Sequence, residues 1–198
     1  MGGAGFLEEP QRSDDVERMY AGDRESDGYV MNLTRVWAHA PAVHDAWTAF
    51  AMASAEAAGL TFRMKGVIVS ALAGAFGDSY CSYAWGSRLA LVAGPATAAA
   101  VLLGDDAEAQ LEPAERVVAA WARRVARDPG STTPADVAAL RGAGLDDTEI
   151  VGLTAYIASR IAFSTVNAAL GATPDAELHA SAPEAVREAI TWGRLPAV

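Results

Sequence analysis

From Asp14 onward one pattern repeats along the chain: a Pro, Thr or Asp start signal, a run of helix-forming residues, and a closing Gly. Pro41 begins a run that Gly59 ends, and Thr61 precedes one that reaches Gly77-Asp78. Leu111-Glu112-Pro113 opens another, Thr133-Pro134 starts a segment stopped by Gly144, and Asp146-Asp147 precede the run to Leu170. Pro suits the first helical position, Thr and Asp side chains accept the free N–H groups of a first turn, and Gly tolerates the backbone that ends a helix. Alternating β-branched segments joined by hairpin dipeptides, which a sheet would need, are absent. The 45 alanines among 198 residues point the same way, because Ala is the best helix former. The expectation is an all-α single domain of about eight to ten helices, spanning residues 14–198 behind a loose Gly-rich leader over residues 1–13.

Within that frame the periodicity assigns inward faces. Asp15 to Ala21 reads as a short helix broken around Gly22–Gly28. In Pro41–Ala58, Val43, Trp47, Phe50, Ala51 and Ala58 fall on one stripe at helical spacing. Val67–Phe76 is apolar almost all round, which marks a helix buried on every side. Tyr80–Ala93 forms the next helix, and Pro183 begins a last one running to Trp192. Trp47 and Trp121 sit at core spacing, and His44 falls at the margin of its stripe as a solvated residue.

Several function classes drop out on composition. A net charge of −10 argues against nucleic acid and against anionic membrane surfaces, both of which call for a basic face. The single cysteine, Cys81, rules out an internal disulfide framework and the Cys-rich zinc sites. His39, His44 and His179 are scattered, so no metal and no cofactor is expected. The start of the chain lacks a basic stretch followed by an apolar one, and Leu89–Gly104 is interrupted by Gly94-Pro95, so the expected location is cytoplasmic.

The densest chemistry lies in Gly77-Asp78-Ser79-Tyr80-Cys81-Ser82-Tyr83-Ala84-Trp85-Gly86. A thiol here opens a helix, where backbone N–H groups favour the thiolate. Asp78 lies three residues before Cys81, on the same face of the first turn, where a carboxylate can take the thiol proton yet opposes its ionisation. Two readings stay open: a reactive pair, or a buried small side chain beside a helix cap. Asn167 sits in a helix of similar character and is a candidate to project a polar group toward the same pocket.

The chain resembles the alkylhydroperoxidase D-like (AhpD-like), carboxymuconolactone decarboxylase superfamily in its peroxidase-related branch. The residues that carry the resemblance are Gly28-Tyr29-Val30-Met31-Asn32, the apolar helix ending at Gly77-Asp78, Leu111 to Pro129, Gly144 to Gly152, and Asn167-Ala168-Ala169-Leu170-Gly171. The resemblance implies an all-helical fold and a homo-oligomer. The family's redox motif is C-x-Y-C-x-x-x-H with a Glu one helix earlier. Tyr80-Cys81 fits its second half, which puts Asp78 at the first Cys, Trp85 at the His and Gly66 near the Glu. A second register, with Cys81 as the first Cys, puts Ala84 at the second and Arg88 at the His. Either way the dithiol and the Glu–His proton path are missing.

Three functional readings follow. In the first, Cys81 is a single-thiol redox or nucleophilic centre with Asp78 as its acid/base partner, and Tyr80, Trp85 and Asn167 shape the pocket. A peroxidase of that kind would pass through a sulfenic acid and need an external thiol reductant. In the second, Asp78 is the general acid or base for decarboxylation, isomerisation or hydrolysis of a small organic acid, with Arg88 holding a carboxylate. In the third, the chain is a non-catalytic helical oligomer that binds a ligand or partner.

Overall fold

The computed structural model describes residues 5–196. Eleven α-helices and one 3₁₀ turn make up the described residues, with no strand; eight of the helices have seven residues or more. In chain order they are α1 (Asp14–Ser26), α2 (Asn32–Trp37), α3 (Pro41–Ala57), α4 (Phe62–Phe76), α5 (Ser79–Ala93), α6 (Pro95–Leu103), α7 (Pro113–Arg127), α8 (Pro134–Gly142), α9 (Asp147–Ala169), α10 (Ala176–Ser181) and α11 (Glu184–Ala189). The all-α single domain is as the sequence implies.

α4 is the axis. Thr61 caps it by accepting the Met64 N–H, and Val67 to Ala73 are buried without exception. α5, α6, α7 and α9 pack around it, so the apolar circumference has a partner on each side. α3 lies instead along α9 at the rim. The capping residues act as the sequence suggests: Thr133 and Asp146 each form reciprocal capping boxes with Asp136 and Glu149.

Three local expectations change. α1 runs through Gly22 to Ser26, because Ser13 caps its start and Val16, Met19 and Tyr20 anchor it to the core. On α3, Trp47 and Ala51, with the C-cap Ala58, turn inward, but Val43 and Phe50 face out, since α9 covers this helix along one side and α1 and α2 touch only part of it. The last helix stops at Ala189, where Ile190 becomes extended and the following segment crosses the start of α5. The described part of the expected leader has no helix before Asp14. Glu9 accepts from Tyr20 and Arg35, and Phe6 donates its N–H to the Leu170 carbonyl. Among the described residues no single helix is long and apolar enough to cross a membrane.

Candidate functional site at the start of α5

Gly77 makes the corner that builds the site. It ends α4 with φ 76°, a left-handed conformation open to Gly, and its N–H returns to the Ala73 carbonyl. The chain then re-enters the core at Asp78, the N-cap of α5. Asp78 Oδ1 accepts the Cys81 N–H at 3.1 Å, and the Asp78 carbonyl accepts both the N–H and the hydroxyl of Ser82. Cys81 is only 2% exposed and its side chain faces α9.

What meets it there is a polar stripe on α9. Arg160, Ser164 and Asn167 recur at i, i+4 and i+7 on a helix whose other buried positions, Ser159 apart, are mostly apolar. Arg160 Nη2 donates to Cys81 Sγ at 3.4 Å, and Ser164 Oγ approaches the same sulfur at 3.7 Å. Arg160 is 7% exposed and, among the described residues, forms no ion pair. Aromatic faces surround its guanidinium instead: Phe163 at 4.9 Å, Trp47 at 5.4 Å and Trp85 at 5.6 Å. Its Nε has no partner. A buried cation without a carboxylate within ion-pair distance favours negative charge nearby, and the group its N–H meets is the Cys81 sulfur.

The sulfur's ionisation is a contest. Burial pushes the Cys81 thiol up, the Asp78 carboxylate pushes it further, and Arg160 and Ser164 pull it down. Burial wins, with the thiol held at about 12. The resting group is therefore a neutral thiol poised against a positive charge.

The remaining sequence candidates separate. Asn167 joins the site: its Oδ1 accepts the Trp37 indole N–H at 2.8 Å, and its Nδ2 has no partner. Trp85 reaches it through Arg160, which its ring helps enclose. Tyr80 does not offer its hydroxyl to Cys81; that group donates to Asp175 and accepts the Leu33 N–H, leaving only the Tyr80 side of the nearby cavity wall. Arg88 stacks on Trp85 at 5.3 Å and lies 3.7 Å from Asp27, and among the described residues it makes no hydrogen bond to Cys81 or Asp78. Gly66, at the expected Glu position, packs against Leu89, where an added Cβ would lie 3.2 Å from Leu89 Cδ1. His44 is half-buried between Trp37 and Trp47, and burial lowers its pKa, in place of the solvated position expected. Among the described residues no three of His, Cys, Asp and Glu converge as a metal site would need.

An uncharacterized peroxidase-related protein from Silicibacter sp. TM1040 superposes with a TM-score of 0.77 at 20% identity, over 90% of this chain and 95% of that one. An uncharacterized peroxidase-related protein from Ralstonia eutropha JMP134, described as an alkylhydroperoxidase AhpD core, superposes at 0.76 with 22% identity over the whole of both chains. The fold is the AhpD-like one. A cysteine-to-alanine variant of the debrominase Bmp8, in complex with 2,3,4-tribromopyrrole, shares this fold at a TM-score of 0.72 and 17% identity, over 88% of this chain and 95% of that one. No family model matches the sequence, and no curated protein does. The motif residues lie on α5, and the guanidinium that meets Cys81 Sγ comes from α9.

Proposed function

We propose that this AhpD-like chain is a thiol enzyme with one catalytic sulfur, Cys81, whose developing negative charge is held by Arg160. The observation that carries this reading is the N–H from a buried guanidinium, with no carboxylate partner among the described residues, to Cys81 Sγ. A preorganised charge aimed at the reacting atom stabilises the anion without any reorganisation at the moment of reaction.

For a hydroperoxide substrate the steps balance as follows. Cys81 gives up its proton, with Asp78 as the nearby base. The thiolate attacks the terminal peroxide oxygen, an S–O bond forms, the O–O bond breaks, and the departing alkoxide leaves with a proton as the alcohol. Cys81 is then a sulfenic acid. An external thiol condenses with it, releasing water and forming a mixed disulfide. A second external thiol restores Cys81 and leaves as the external disulfide.

Treatment with cumene hydroperoxide followed by dimedone is expected to label Cys81 once per chain, with no label in Cys81→Ser. No sulfenic acid at Cys81 under excess hydroperoxide would overturn the reading. Because folding holds the thiol at about 12 rather than the ordinary 9, the labelling rate should climb about tenfold per pH unit from pH 8 upward. Stability should move the other way. The contribution from keeping Cys81 protonated is intact below pH 9 and is lost as pH rises toward 12. The slope is up to about 1.4 kcal/mol per pH unit, and Cys81→Ser should lack it.

A homo-oligomer also belongs to this reading. Phe50 and Val151 are exposed along a groove of about 540 Å³ between α3 and α9, which supports a second copy covering that face. Sedimentation at micromolar concentration is expected to show a dimer or larger species that Phe50→Asp breaks down. A monomeric wild-type chain would remove the oligomer.

A further inference from the structure

A second feature borders Asp78. The segment after α11 crosses the start of α5, where Ser79 Oγ donates to the Arg194 carbonyl and the Trp192 indole N–H donates to Ser82 Oγ. Between this strap, the start of α5 and the end of α9 is a cavity of about 210 Å³ whose lining includes Asp78, Tyr80, Asn167, Ala172 and Arg194.

Two polar atoms of its lining residues have no hydrogen-bond partner among the described residues: Asp78 Oδ2, an acceptor, and Asn167 Nδ2, a donor. Asp78 is 8% exposed and Asn167 only 1%. Buried polar groups in folded proteins are nearly always paired, so two unpaired atoms among the lining residues of one small cavity point to a ligand. Their other atoms are already engaged, Asp78 Oδ1 with the Cys81 N–H and Asn167 Oδ1 with the Trp37 indole. The free acceptor and the free donor are thus fixed in identity.

One functional group answers both. A hydroxyl donates its hydrogen to Asp78 and accepts from Asn167 with the same oxygen. Arg194, exposed at the edge, donates from Nη2 to the Ala168 carbonyl and lies over the Phe6 ring at 4.8 Å. A guanidinium carries five donors, so it retains N–H groups for a carboxylate. At about 30 Å³ per water-sized group, the space suits a two- or three-carbon skeleton beside Ala172. We propose that this cavity binds small hydroxy carboxylic acids, with the hydroxyl between Asp78 and Asn167 and the carboxylate on Arg194. The inference stands on the cavity alone and does not require reaction at Cys81.

Calorimetry and thermal shift with lactate and glycolate, against propionate and acetate, test it. Lactate is expected to bind about tenfold or more tightly than propionate, which lacks the hydroxyl. Asp78→Asn keeps the cap on the Cys81 N–H, and Asn167→Asp keeps the acceptor for Trp37; each reverses the unpaired atom, and the first removes a negative charge where the second adds one. Both are expected to lose about tenfold or more in lactate affinity, and Arg194→Gln should weaken every acid. If Asn167→Asp does not fold, Asp78→Asn and Arg194→Gln carry the test. Repeating the titration in Cys81→Ala, where thiol chemistry is gone, makes failure of binding and failure of the thiol reading separately visible. The inference is overturned if neither hydroxy acid binds at about 10 mM, if lactate binds no better than propionate, or if the variants bind like the wild type because water alone fills the space.

Discussion

Gly152→Ala is expected to cost about 2–4 kcal/mol, read as a lower denaturation midpoint with an unchanged denaturant slope. On propensity alone the change should help, since Ala is favoured over Gly inside a helix by about 1 kcal/mol. Packing reverses the sign. A Cβ at this position would stand 2.8 Å from the Ala58 nitrogen, 2.9 Å from the Ser54 carbonyl oxygen and 3.0 Å from the Ala57 carbonyl carbon. All three are backbone atoms, which cannot rotate aside as a side chain would. α3 and α9 must then separate along the seam where Trp47 donates to the Ser159 carbonyl and stacks on Phe163 at 4.3 Å. Arg160 lies on that same stretch of α9, so the variant that folds should also show slower labelling of Cys81. A midpoint equal to or above wild type would mean the two helices do not approach this closely.

The helices themselves were legible because their signals are local. Thr61, Thr133 and Asp146 cap where the sequence suggests, and the apolar circumference of Val67–Ala73 could only belong to a central helix. Faces were less legible. Val43 and Phe50 share the helical stripe of Trp47, yet which part of a stripe is covered depends on how many helices lie over it, and α3 has α9 on one side. Within the site, Asp78 as a cap three residues before Cys81 could be read from spacing, because both lie in one turn. Arg160 could not be read that way. It lies 79 residues from Cys81 in the chain, and nothing local says that a cation on α9 meets a thiol on α5. One signal was present: Arg160, Ser164 and Asn167 put three polar groups on one face of a helix whose neighbouring inner positions, Leu153, Ile157 and Phe163, are apolar. A polar stripe on an inward face needs partners there. Arg88 is the converse case. Its motif position suggests carboxylate binding, and the carboxylate beside it in the structure is that of Asp27, in the turn after α1.

Arg160→Met is expected to slow Cys81 oxidation on the order of 100-fold while leaving stability within about 1 kcal/mol of wild type. The two effects separate because the guanidinium's contributions to folding nearly cancel. Removing a cation from water costs several kcal/mol, and without a carboxylate that cost is offset only by contacts with aromatic faces, worth about 0.5–2 kcal/mol each, and by its hydrogen bond to sulfur. Methionine fills comparable volume, needs no solvation, and keeps a favourable contact with Trp47, Trp85 and Phe163. The thiol has no such compensation. Arg160 pulls the Cys81 pKa down against burial and Asp78, so its loss raises the pKa further and removes thiolate at any given pH. Arg160→Lys separates charge from shape: it retains the cation but loses the planar fork that lies between the rings, and an intermediate rate is expected. Dimedone labelling rates and denaturation midpoints measured on the same three chains decide the matter. Should Arg160→Met lose several kcal/mol while Cys81 oxidises as in the wild type, Arg160 is a packing residue and the charge it aims at the sulfur has no part in the chemistry.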